Sequence, residues 1–136
     1  MKTYQKVLLI VVTFFSLSAL FTPEAAFAQI PGVKRTDLQR HNIEAAGYET
    51  IQARIDLEPG SAVGMHSHPG EEVIYVLEGI FEYQIEGEKP VILKTGDVLF
   101  VPAGKNHSAK NIGKVKASEL ATYIVKKDKP LLLFKK

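Results

Sequence analysis

The chain has 136 residues, of which 46% are hydrophobic and 24% charged, and it contains neither cysteine nor tryptophan. No disulfide can staple it and no thiolate can hold a metal, so any metal site must be built from imidazole and carboxylate. Seventeen Lys and Arg against 15 Asp and Glu leave a formal charge of +2, too even a balance for general attraction to nucleic acid or to an anionic membrane.

Residues 1–28 read as an address. Lys2 and Lys6 make a basic start, residues 7–21 are almost uninterruptedly apolar, and Pro23, Glu24 and Ala26-Phe27-Ala28 follow in the order of a secretory signal peptide. The apolar stretch is shorter than the ~20 residues a helix needs to span a bilayer. Cleavage is therefore expected after Ala28, with a periplasmic or secreted product that no longer holds to the membrane. There is no twin-arginine pair, which suits export of an unfolded chain. The remaining 108 residues carry 15 basic and 14 acidic groups, and that length suits one compact domain with its own core.

Residues 29–48 are read as an N-terminal arm, in which 36–46 is either a short helix or extended. His41 lies there among Arg40, Asn42 and Glu44, the setting of a surface residue. Residues 49–136 are expected to form one barrel domain. Apolar residues recur there with a period near two at 50–57, 73–77, 80–85, 91–94, 98–101 and 119–125, between breakers such as Pro59-Gly60, Pro69-Gly70, Gly79, Gly87, Gly96, Pro102 and Gly113. Between breakers there is no room for a ten-residue helix after residue 50. The pattern predicts an all-β sandwich or small barrel. Lys126, Lys127 and Lys129 read as a solvated loop. In 97–101, either Val98 and Phe100 or Leu99 and Val101 face the interior.

The chemistry concentrates in GMHSHPGEE, residues 64–72. His66 and His68 sit two apart, so on a strand they project from one face. Glu72 follows a Pro-Gly turn that brings the chain back toward them, whereas Glu71 has the opposite parity and faces solvent. Two imidazoles and a carboxylate suit a first-row divalent metal and leave room for a further ligand. His107, after the breakers Pro102 and Gly104, opens another run far downstream and is the candidate for it. Tyr75, Tyr83 and Lys105 are possible assistants, each more often packing or surface.

Gly60, His66, His68, Glu72 and Gly79 fall at GxxxxxHxHxxxExxxxxxG, and Gly96, Pro102, Gly104, His107 and Asn111 at GxxxxxPxGxxHxxxN. The chain thereby resembles the cupin family, with 16 residues, 80–95, between the two motifs. The resemblance implies a double-stranded β-helix, a small jelly-roll barrel, in which His66, His68, Glu72 and His107 are the metal ligands. It implies one divalent ion per chain, Mn, Fe, Ni, Cu or Zn. An open centre beside an apolar cavity suits a small bidentate oxygen ligand such as a flavonol, catechol or enediol. With it comes dioxygenase chemistry, in which Glu72 accepts a substrate proton. The fold equally serves non-catalytic ligand-binding modules and, with less support here, isomerases. Cupins commonly dimerise. A homodimer is expected, with the tail at 131–134 and the 29–48 arm either covering an edge, joining a partner's sheet, or packing on their own barrel.

Overall fold

A computed structural model describes residues 30–135. The signal-peptide reading of residues 1–28 lies outside them. Ten strands run in chain order: β1 (Val33–Asn42), β2 (Tyr48–Leu57), β3 (Ala62–Ser67), β4 (Gly70–Glu78), β5 (Ile80–Ile85), β6 (Val91–Lys94), β7 (Val98–Val101), β8 (His107–Asn111), β9 (Ala117–Lys126) and β10 (Leu133–Phe134). They form two five-stranded antiparallel sheets, ordered β1-β2-β9-β4-β7 and β10-β3-β8-β5-β6. The architecture is an all-β double-stranded β-helix, with the motif-bearing strands β3 and β8 neighbours in one sheet and β4 between β9 and β7 in the other.

Period-two alternation places the core. Ile51, Ala53, Ile55 and Leu57 of β2, Ile74 and Val76 of β4, Phe81 and Tyr83 of β5, and Ala121, Tyr123 and Val125 of β9 are buried, while the residues between them point outward. Burying one such apolar side chain contributes roughly 1.5–3 kcal/mol, which makes the two inner faces the main stabilising contact. On β7 the inward pair is Leu99 and Val101, and Val98 and Phe100 face out.

Tight turns let the strands follow one another closely. Gly79 joins β4 to β5 at φ +83°, and a Cβ there would stand 2.6 Å from the Ala117 Cα. Both the turn and the close approach of β9 therefore require glycine. Gly70 begins β4 against β9, where a Cβ would meet the Ile124 carbonyl oxygen at 2.0 Å. Asn111 ties a loop rather than a ligand. Its Nδ2 donates to the carbonyls of Leu57 (2.9 Å) and Val115 (2.8 Å), and its Oδ1 accepts from the Gly113 amide.

The stretch 36–46 is not a helix. β1 pairs with β2 from Val33↔Leu57 to Asn42↔Glu49, with a bulge between Asp37 and Gln39. The strand is solvated over most of its length, so it has no apolar alternation to betray it. Backbone pairing holds it instead, together with a bidentate ion pair from Arg40 Nε and Nη2 to Glu49 at 2.6 and 2.7 Å. The tail is likewise spent on its own barrel. Leu131 and Leu132 enter the core, and β10 pairs with the end of β3 through Leu133↔Ser67 and Phe134↔His66.

Candidate metal centre

The alternation along β3 breaks between Val63 and His66, where its pairing with β8 shifts register. Val63 faces the core before the break, and the irregularity returns His66 to the same interior afterwards. Bulges re-aim side chains in this way. His66 then lies directly across from His107, the first residue of β8. His68 follows two residues on, and the turn through Pro69 starts β4, whose second inward residue is Glu72. The two sheets thus bring His66, His68, His107 and Glu72 together, all buried. His41 lies elsewhere, exposed on β1 opposite Thr50.

Each imidazole is oriented by a backbone carbonyl. His66 Nδ1 bonds to the Gly64 oxygen at 2.7 Å, His68 Nδ1 to the Leu131 oxygen at 2.6 Å, and His107 Nδ1 to the Lys105 oxygen at 3.0 Å. A carbonyl only accepts, so each Nδ1 carries a hydrogen and each ring, when neutral, turns a lone pair on Nε2 inward. One ligand atom from each of the three rings lies within 4.8 Å of the others. Glu72 Oε2 stands 3.0 Å from His107 Nε2 and 3.3 Å from His68 Nε2. His68 Nε2 and Glu72 Oε2 have no hydrogen-bond partner among the described residues. Lone pairs converging on one another with nothing to share repel, and a divalent cation is the species that would satisfy all of them at once. Carbonyl-anchored imidazoles are also the usual support of metal-binding histidines.

Proton affinities follow from the same crowding. Burial, with the neighbouring charges of His107 and His68, pushes the His66 imidazole down to about 3. For Glu72, burial opposes ionisation, but the His107 and His68 imidazoles beside it outweigh that and hold the carboxyl far below the usual range. Burial likewise lowers His107, and Glu72 more than offsets it, so the imidazole is raised. A proton on His107 is therefore what balances Glu72 in the absence of a cation, and a bound ion would displace it.

His66, Glu72 and His107 border a small cavity of about 10 Å³, room for roughly one water. Ile55, Val63 and Ala109 form its apolar walls, and Tyr83, Tyr123 and Glu119 add a polar side. Of the assistants considered from sequence, Tyr83 reaches this cavity, whereas Tyr75 is on the outer face. Glu119 and Tyr123 were not singled out by sequence. The signal was parity: Glu119 shares a face with Ala121, Tyr123 and Val125, the inward face of β9. Glu119 is pushed up to about 8 by burial and by the charge of Glu72. A larger groove of about 450 Å³ opens beside the turn between β3 and β4, lined in part by His68, Glu71, Lys126 and Lys129.

Residues 53–123 match the family model described as the cupin domain. Among curated proteins, the chain is 43% identical over 76 residues to an oxalate-binding protein of Thermotoga maritima, covering 54% of this chain and 60% of that one. It is 34% identical over 112 residues to germin-like protein subfamily 3 member 1 of Arabidopsis thaliana, covering 79% of this chain and 48% of the relative. The chain thus spans roughly half of the curated relatives it matches. Among solved structures it is similar to an RmlC-like cupin from Shewanella frigidimarina (27% identity, TM-score 0.58, 71% of this chain and 79% of that one). It is also similar in fold to a recombinant oxalate oxidase in complex with glycolate (22% identity, TM-score 0.63, 79% and 57%).

Proposed function

The chain belongs to the cupin family, and from that premise we propose that it is an exported protein that holds one divalent transition-metal ion on His66, His68, His107 and Glu72 and uses it to chelate a small bidentate oxygen ligand. The observation that carries this reading is the set of three Nε2 lone pairs meeting Glu72 in a closed, buried space. The ion would supply a Lewis-acidic, redox-capable centre with positions left over for ligand oxygens.

The cavity narrows the ligand class. A void with room for about one water cannot take a flavonol without wholesale displacement of Ile55, Val63 and Ala109, and a catechol displaces nearly as much. The smallest chelating acids disturb the walls least, and oxalate is the ligand in the name of the Thermotoga relative. We therefore place the ligand at the scale of a two-carbon acid. The protein's own part is to exclude water with its apolar wall, to fix the imidazoles through their carbonyl bonds, and to set a buried carboxylate beside the ligand.

A second reading adds turnover with dioxygen. It is favoured by Glu72 Oε2, a buried oxygen without a hydrogen-bond partner that is placed to take a proton from a ligand. The test of both begins with elemental analysis of the natively purified protein. About one divalent ion per chain is expected, lost in His66→Ala and in His107→Ala and kept in His41→Ala. Equal loss in all three would refute the choice of ligands. Oxygen uptake by the loaded protein with oxalate, above that of Glu72→Gln, would favour turnover over simple binding.

A homodimer is part of the proposal. The surface that supports it is the edge strand β7 with the adjoining outer face of β4, where Val73, Tyr75, Val98 and Phe100 are exposed.

A further inference from the structure

The carboxyl of Glu119 is buried on the inner face of β9 and takes its hydrogen bonds from one group, the Tyr83 hydroxyl, which lies 2.7 Å from both of its oxygens. No ion pair reaches it among the described residues. Burying a carboxylate in this way is costly unless a cation or several donors compensate. A purely structural role would be served better by an apolar residue of similar size, since Ala121 and Val125 fill the same face without cost. Both members of the pair line the cavity that holds His66, Glu72 and His107. The Tyr83 ring lies nearly parallel to that of His107, 17° between planes and 6.4 Å between centroids.

Hydrogen counting shows what the pair offers. A phenol and a neutral carboxylic acid hold two donor hydrogens between them, and their mutual bond uses one. Burial, with one hydrogen-bond donor and no ion pair among the described residues, favours the neutral acid. One donor is therefore left over, in a water-excluding cavity where the neighbouring walls are apolar.

We propose that Glu119 and Tyr83 form the specificity-determining pair of this centre, recognising the oxygen atoms of a chelated acid that point away from the metal. The inference rests on the chelation reading above and adds a requirement to it. A ligand must present two oxygens to the ion and at least one further acceptor oxygen outward. A dicarboxylate of two carbons does both, using one oxygen of each carboxylate for the ion. A chelator of the same size whose outward atoms are a methyl and an N–H does not.

Oxalate and acetohydroxamate make that comparison. The metal-free protein is reloaded with Mn²⁺, metal content is measured, and each probe is titrated calorimetrically into the wild type, Tyr83→Phe, Glu119→Leu and Glu119→Gln. Losing a buried hydrogen bond to a charged ligand predicts about tenfold or greater weakening of oxalate in Tyr83→Phe and Glu119→Leu, with acetohydroxamate within about twofold. Metal content should stay unchanged. Glu119→Gln keeps a donor in place of the acid and should hold oxalate within about threefold of the wild type. Oxalate affinity unaffected in Tyr83→Phe and Glu119→Leu, or both probes weakened alike, would overturn the pair's role. If the loaded wild type binds neither probe, the chelation reading itself falls.

Discussion

The Nδ1 of His68 donates to the carbonyl oxygen of Leu131 at 2.6 Å, across 63 residues of chain. Leu131 and Leu132 are packed into the core cluster. Next to them, Phe134 lies across from His66 with ring centroids 6.2 Å apart, and the Lys135 amide donates to Met65 at 2.9 Å. The C-terminal segment therefore grips His66 of β3 and His68 just beyond it from outside the cavity.

Removing that grip should weaken the metal rather than unfold the barrel. A chain ending at Lys129 loses the acceptor that fixes the His68 ring, and losing such an outer partner typically costs about 10–100-fold in metal affinity. Competition against a chelator would measure it, and Leu131→Ala should show a smaller loss in the same direction. A truncated chain with wild-type affinity would show that the Leu131 carbonyl is dispensable. In Phe134→Ala the carbonyl bond is retained, so affinity should stay closer to the wild type.

The strands with a clean period of two were legible because one face is buried and one is wet. The 50–57, 80–85 and 98–101 runs recur in the structure to within a residue or two. β1 was illegible for the opposite reason: VKRTDLQRHN is solvated over most of its length and owes its place to backbone pairing. The histidines were legible as a same-face pair, and their spacing carried the family. Glu119 was missed because a single acid at the head of an apolar run reads as the solvated end of a strand. Its parity with Ala121, Tyr123 and Val125 was the one local sign that β9 has already entered the core at Ala117. The hold of residue 131 on residue 68 is a long-range contact with no local signature at all.

The metal-free protein should lose stability as pH rises from about 6.5 to 8. Glu119 is raised in the folded state to about 8 from 4.5, so the folded chain keeps a proton that the unfolded chain has released. That contribution is fully present below 4.5 and disappears as pH passes 8, with a slope of at most about 1.4 kcal/mol per pH unit. His107, also raised, acts in the same direction above 6.5. His66 acts oppositely: lowered to about 3 from 6.5, it costs stability as pH falls through that window, because the unfolded imidazole takes the proton. The two effects counter each other between 4.5 and 6.5, which leaves the decline above 6.5 as the visible limb. Urea midpoints at successive pH values should fall less steeply there in Glu119→Gln than in the wild type, and parallel curves would rule the Glu119 contribution out.

Export predicts a covalent outcome. Expressed with residues 1–28 in a host with a secretory pathway, the protein should accumulate outside the cytoplasm with Gln29 as its first residue, read by intact mass. Retention of the full chain in the cytoplasm would remove the export proposal and leave the metal centre untouched, since His66, His68, Glu72 and His107 all lie beyond the cut.

The dimer proposal turns on four side chains in register. Val73 pairs with Phe100 and Tyr75 with Val98 across β4 and β7, and these outward residues stay exposed, Val98 at 65% and Phe100 at 56%. Because β7 is an edge strand, its free backbone groups lie beside this apolar face. A two-fold axis there would let both kinds of contact form together, each patch meeting its own copy. Light scattering after gel filtration should give the mass of two chains. Phe100→Lys would place like charges near the axis and should weaken association by about tenfold or more, while its outward direction leaves metal content unchanged. A wild type that runs as a monomer at micromolar concentration, or a Phe100→Lys variant that stays dimeric, would move the interface elsewhere or dismiss it.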